Sequence, residues 1–385
     1  MKSPLRRIVA NFATALTSVS ITLLGLEFGI RLFSPQDLGY FDSRSFRRNV
    51  STSPHFVENI PNGKANFLGV PVVINSLGLR GGEIRTPRPP NTVRILTVGD
   101  SITFGYGIPL EATYSKVLEK LLNQPPSPVA QYEVLNGGTL GGSLGDYFHF
   151  LTQKAETLQP QIVLIGLCLN DIFVYSEAGG ISEVATERGR ELPLLRRLNR
   201  FLLRRSQLYT LSYARFKSFL YGSGIVDFNE VQGSNFLALA PPSPHQAQAW
   251  ESSLGMLSRI MAFCRQHSYR LVVVIFPMQM QMSITDFEFY KKNYHLKLGA
   301  GTLSGEPQQR LRDFATTAGL SIVDLLPVYR TYPSQELYVR NKMIPSDPTH
   351  PSVKGNQVAA DEIFRVLRGM IICGNDCAGR RPKPR

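Results

Sequence analysis

Cysteine is scarce, four in 385 residues, and a chain of this length is not a small disulfide scaffold. Histidine occurs six times, and His149, His245, His267 and His295 stand at no ligand-like spacing. Cys373 and Cys377 have no second Cys or His pair beside them, so zinc lacks a ligand set and no metal or cofactor is expected. Tryptophan appears once, at Trp250, and the 15 Tyr and 22 Phe are scattered. The interleaving of basic and aromatic residues on which nucleic-acid bases stack is missing, so no nucleic-acid partner is expected. Acidic residues are also few, 29 against 42 Lys and Arg, which leaves a net charge of +13. With 18% charged and 43% hydrophobic residues the composition excludes wholesale disorder. The length exceeds the roughly 250–300 residues at which a single core stops growing, so one large domain with appendages or two domains are expected.

The basic excess suits an anionic surface, and the N-terminus indicates a membrane. From Ile8 to Leu26 the chain carries no charge. At about 1.5 Å per residue that run nearly crosses a hydrocarbon core of about 30 Å. Lys2, Arg6 and Arg7 precede it, and Glu27-Phe-Gly-Ile-Arg31 follows. A cleaved signal, for which Ala13 and Ala15 are small residues, and a core helix rich in Thr and Ser are the alternatives; neither explains the basic flank as well. Residues 1–31 are therefore read as an uncleaved transmembrane anchor. Arg31, Arg44, Arg47 and Arg48 on the far side nearly balance the near-side charges. Because long domains translocate largely regardless of charge, the C-terminal bulk is expected outside the cytoplasm, periplasmic or extracellular.

Residues 32–60 are polar and irregular and read as a linker. Beyond them, strands at 94–99, 132–136, 162–169, 271–276 and 321–326 alternate with helices at 111–122, 246–266, 306–318 and 354–369. The strand segments are apolar without polar alternation, which suggests burial on both faces of a parallel sheet. The expected fold is α/β, a three-layer sandwich around a doubly wound, mostly parallel sheet over 61–372, followed by a basic tail at 373–385. An insertion at about 174–245 interrupts the rhythm. From Arg188 to Lys217 it holds nine Lys or Arg and one acid, Glu191, with Leu194, Leu195, Leu198, Phe201, Leu202, Leu208 and Tyr209 at helical spacing. Such a stretch suits a solvated helix packed on the domain or one laid on an anionic bilayer. Cys168 and Cys264 read as inert core thiols. Cys373 and Cys377, four apart, are able to close a small disulfide loop in an oxidising compartment. Met278, Met280 and Met282 read as gap-filling residues rather than copper ligands.

Acyl-transfer chemistry needs a nucleophile on a strand-end turn, a base, a group orienting that base, and donors for the developing oxyanion. Gly99-Asp100-Ser101-Ile102 places Ser101 where a parallel strand meets a helix, at the edge where open α/β sheets bind ligands. Asp347-Pro348-Thr349-His350-Pro351 sets an acid three residues from a histidine. Asn136 to Leu144 reads N-G-G-T-L-G-G-S-L, a glycine-rich turn with bared backbone N–H groups. Asn170-Asp171 ends the third strand and offers a side-chain amide to the same crevice.

With these four blocks in this order, the chain over about residues 70–370 resembles the SGNH or GDSL hydrolases. V-I-N-S-L-G-L-R-G-G-E at 73–83 further resembles the lead-in of their membrane-anchored bacterial members. The resemblance implies that Ser101 attacks the acyl carbon, His350 takes its proton and Asp347 orients His350. It also implies an oxyanion hole of the N–H groups of Ser101 and Gly141 with the Asn170 amide. Two departures stand out: Cys168 occupies a position usually held by Gly, and the span from Asn170 to Asp347 is long. The activity so implied is a membrane-anchored serine esterase acting on O-acyl groups of envelope or exported polysaccharide, or on lipid esters. An O-acyltransferase and a non-catalytic binding module are the alternatives. Gly141-Gly142-Ser143-Leu144-Gly145 also matches a G-x-S-x-G elbow, but Gly137-Gly138-Thr139 separate it from its strand, which argues against Ser143.

Overall fold

The uncharged N-terminal run forms one helix, α1 (Pro4–Phe33). Over Arg7–Phe33 it is long and apolar enough to cross a membrane, and none of that window is buried; among the described residues no other helix meets both conditions. The structure is a computed structural model that describes residues 4–35, 38, 43–50, 53–125, 131–181, 193–223, 233–340 and 347–378.

Part of the segment read as an irregular linker is ordered. β1 (Arg47–Val50) and β2 (Ser53–Asn59) form an antiparallel hairpin, and β3 (Lys64–Phe67) and β4 (Val70–Val73) form a second. The reason is local apolar content: Phe46, Phe67, Leu68, Val72 and Ile74 are buried with Phe104 and Leu140 in a small core of their own. Phe46 lies 5.3 Å from Phe67 and 5.4 Å from Phe104, centroid to centroid.

The main sheet follows. β5 (Thr92–Gly99) leads through α2 (Ser101–Phe104) and α3 (Tyr114–Leu122) to β6 (Gln131–Gly138). Then come α4 (Leu144–Leu158), β7 (Ile162–Cys168), and two helices of the insertion, α5 (Pro193–Arg205) and α6 (Gln207–Gly222). α7 (Pro244–Gln266), β8 (Arg270–Phe276), α8 (Ile284–Asn293), α9 (Glu306–Ala318), β9 (Ser321–Asp324) and α10 (Val353–Ala378) complete the chain. The five strands run parallel in the order β6-β5-β7-β8-β9. The winding reverses between β5 and β7, the point beyond whose strand ends open α/β sheets bind ligands.

All seven residues of β7 are buried, as the unalternated apolar pattern requires. α3 packs with α10 and α4 packs with α7, so the sheet lies in the middle of three layers. Met278, Met280 and Met282 are buried in this core. The basic stretch is two helices rather than one, broken at Ser206, and α6 packs against α1. Cys168 and Cys264 are free and buried. Burial pushes the Cys264 thiol up to about 12 and raises the Cys168 thiol well above its ordinary value, so both are poor nucleophiles. Cys373 and Cys377 lie outside the described side chains.

Candidate active site

Ser101 opens α2 directly beyond β5, and Asp100 caps that helix by accepting from the Ile102 N–H at 2.8 Å. The turn is tight enough that a Cβ at Gly138 would meet the backbone of Phe104 at 2.1 Å, so the neighbouring strand must carry glycine there. Gly99 and Gly138 are register partners in β5 and β6, and Gly99 pairs with Gly166 of β7. The loops bearing Ser101, Gly141 and Asn170 thus leave the same sheet edge side by side. The fourth loop reaches that edge through the Gln279 N–H, which donates to the Pro348 carbonyl at 2.7 Å just beyond β8.

The structure brings Ser101, His350 and Asp347 into one line. Ser101 Oγ lies 2.8 Å from His350 Nε2, and His350 Nδ1 lies 2.8 Å from Asp347 Oδ2. The other oxygen, Asp347 Oδ1, accepts from the N–H groups of Thr349 and His350, each at 2.8 Å. Burial opposes ionisation of Asp347, but the His350 charge and these donors outweigh it and lower its pKa. For His350, burial disfavours the imidazolium; the charge and hydrogen bond of Asp347, with help from Asp100, reverse the balance and raise its pKa. Carboxylate on Nδ1 puts the proton there and leaves Nε2 as an acceptor facing Ser101.

Asn170 sits at the same edge: its Nδ2 donates to Asp100 Oδ2 at 3.1 Å, an oxygen that also lies 3.4 Å from Ser101 Oγ. One of the two amide N–H bonds is thereby directed at the neighbour of Ser101. Beneath it, Asp171 is fully buried, accepting from the Cys168 N–H at 3.0 Å and from Tyr147 Oη at 3.0 Å. Burial, and then the nearby Asp100, push the Asp171 carboxyl well above its ordinary range. Cys168 fits this packing with its thiol wholly buried.

Gly141 takes the left-handed conformation, φ +66°, in the turn after β6. Arg47 covers that turn: its Nε donates to the Leu140 carbonyl, and its Nη2 lies 3.1 Å from where a Gly141 Cβ would be. The carbonyl so held belongs to the peptide whose N–H is that of Gly141.

Ser143 is not brought to this site. It is 2% exposed, and its hydroxyl and N–H both bond Asp146 Oδ2, at 2.7 and 2.8 Å, as the start of α4. It is a helix cap, not an elbow nucleophile.

Three neighbours of the site were not legible as such. Tyr106 stacks on His350, Arg47 clamps the glycine turn, and Arg80 of the lead-in segment runs beneath α2. The Arg80 guanidinium donates to the carbonyls of Phe104, Gly105 and Ile108 at 2.5, 2.8 and 2.8 Å. Burial lowers its pKa to about 10, still charged at neutral pH. Only the lead-in motif itself signalled Arg80; nothing in the sequence signalled the other two.

No family model matches the chain, and no curated protein matches it. Similar solved structures include an acetyl xylan esterase, AlAXEase, 12% identical, covering 71% of this chain and 100% of that one, with TM-score 0.41. Another is the psychrotrophic esterase EstA from Pseudoalteromonas sp., inhibited by monoethylphosphonate, 13% identical over 72% of this chain and 98% of that one, TM-score 0.37. A third is a catalytic mutant of an acetylxylan esterase from Geobacillus stearothermophilus, 13% identical over 71% and 93%, TM-score 0.38. At such scores the strand order of this chain, not the likeness, carries its fold assignment.

Proposed function

We propose that the chain is a membrane-anchored serine ester hydrolase with an extracytoplasmic catalytic domain, in which Ser101 is the nucleophile, His350 the general base and Asp347 its orienting partner. The continuous line from Ser101 Oγ through both ring nitrogens of His350 to Asp347, 2.8 Å at each step, is the observation that carries this reading. A serine hydroxyl attacks poorly unless its proton is taken as the bond to carbon forms. His350 Nε2 takes that proton, and Asp347 stabilises the imidazolium that results. The N–H groups of Ser101 and Gly141 and the Asn170 amide then hold the oxyanion. The alcohol leaves with the proton from His350, and water, deprotonated by the same ring, releases the acyl group from Ser101.

The substrates assigned are O-acyl groups on envelope or exported polysaccharide, with lipid esters second, because α1 holds the domain at a membrane surface. Labelling with a serine-directed phosphonate tests the chemistry. Wild-type protein should be labelled at Ser101 and lose its esterase activity, while Ser101→Ala and His350→Ala remain unlabelled. A wild-type chain that resists the reagent would instead favour a binding module on a hydrolase scaffold.

A further inference from the structure

No residue of α5 or α6 enters the hydrogen bonds described for the acyl-transfer site, yet these two helices are fastened with some specificity. Glu27 of α1 accepts from Ser206 Oγ at 2.8 Å and from the Gln207 and Leu208 N–H groups, each at 2.9 Å. It thereby caps the first turn of α6. Arg31 adds a hydrogen bond from Nη2 to the Arg205 carbonyl at 2.9 Å, and its Nε bonds Glu27 at 2.8 Å. The two helices are tied to each other by Tyr209 Oη donating to Asn199 Oδ1 and Thr210 Oγ1 donating to the Leu203 carbonyl, both at 3.1 Å. Glu27 is the first charge after the uncharged run from Ile8 to Leu26. The bend at Ser206 is therefore held beside Glu27 and Arg31, the first charges that follow the uncharged run of α1.

Outward from that bend, each helix shows large apolar side chains. Leu198 and Phe201 of α5 are 50% and 55% exposed, and Phe216 and Phe219 of α6 are 61% and 60% exposed. They stand three residues apart within each helix and so share a face. Arg204, Arg205 and Arg215 are exposed alongside them, and the Arg205 guanidinium lies 5.3 Å over the Phe201 ring. Exposed phenylalanines set among arginines on a short helical pair match a surface that enters the boundary between headgroups and acyl chains. The arginines supply the charge that anionic phosphates complement near such a surface.

We propose that the α5–α6 hairpin docks on the anionic surface of the bilayer crossed by α1, with Leu198, Phe201, Phe216 and Phe219 entering the interface. This rests on the reading that α1 spans a membrane, and the experiment separates the two. The full-length protein is reconstituted into vesicles of phosphatidylcholine with phosphatidylglycerol, with or without brominated acyl chains. Tryptophan is introduced singly as Leu16→Trp, Phe201→Trp or Phe219→Trp. Trp250, the only native tryptophan, is 3% exposed and supplies a constant background. All three variants should lose emission to brominated lipid relative to the parent. The losses at 201 and 219 should shrink when phosphatidylglycerol is omitted, while that at 16 stays. Loss at Leu16→Trp with none at Phe201→Trp or at Phe219→Trp would overturn hairpin docking and leave the anchor intact. No loss at any position would overturn both.

Discussion

The imidazole of His350 lies face to face with the phenol ring of Tyr106, centroids 3.9 Å apart and planes 18° from parallel. Tyr106 is in turn met edge-on by Phe67 at 5.7 Å, so the small aromatic core built by residues 46–74 backs the proposed general base. An aromatic face against an imidazolium favours the charged form by about 0.5–2 kcal/mol. Tyr106→Leu should lower the acid-limb midpoint of kcat/KM by about 0.4–1.5 pH units, whereas Tyr106→Phe should leave it unchanged.

The acid limb itself has a stated direction. His350 must be neutral to accept the Ser101 proton, and its pKa is raised in the folded protein. Activity should therefore climb with pH through a midpoint above the ordinary imidazole value of about 6.5. Asp347→Asn removes the charge that raises it, so the midpoint should fall, with kcat reduced on the order of 10⁴. A pH–rate profile for short-chain esters measures both effects.

Ser101→Ala and His350→Ala should each cost on the order of 10⁴–10⁶ in kcat. Asn170→Ala should cost about 10²–10³, the loss for one oxyanion donor. Ser143→Ala should cost stability and not catalysis, since its hydroxyl serves Asp146. Kinetics of purified variants together with denaturant midpoints distinguish these outcomes.

Arg47 reaches the glycine turn from outside the sheet, and its hydrogen bond to the Leu140 carbonyl fixes the peptide that presents the Gly141 N–H. A charged donor on that carbonyl also polarises the amide. Arg47→Met should lower kcat about tenfold, equivalent to about 1.4 kcal/mol of transition-state stabilisation, with KM little changed. Arg47→Lys should recover part of the loss. A change confined to KM would remove Arg47 from this role.

Arg80→Met should act on stability. Without the guanidinium the carbonyls of Phe104, Gly105 and Ile108 lose buried donors, at a cost of about 3 kcal/mol. A urea midpoint shifted down at unchanged slope would match that expectation. Arg80→Lys should not restore it, because one ammonium does not reproduce the planar fork that spans three acceptors.

The sequence by itself determined the parallel sheet and the positions at its carboxyl edge. Strands such as Ile162–Cys168 are buried on both faces, and that demands the continuous apolar runs visible in the chain. Ser101, Gly141 and Asn170 lie just beyond strand ends and Asp347 and His350 lie in the loop before α10, and the resemblance of the four motif blocks, rather than local pattern alone, singles them out. Only the tertiary structure decided what surrounds them. Tyr106 and Arg47 act across 244 and 93 positions of chain on His350 and Leu140, and no local period encodes such a meeting. The hairpin at 47–59 looked like linker because apolar residues are few there, and neighbouring Phe46 finds its core only against Phe67, Phe104 and Leu140. The break at Ser206 was equally hidden, since the carboxylate that caps the new helix, Glu27, belongs to α1 and lies 179 residues away.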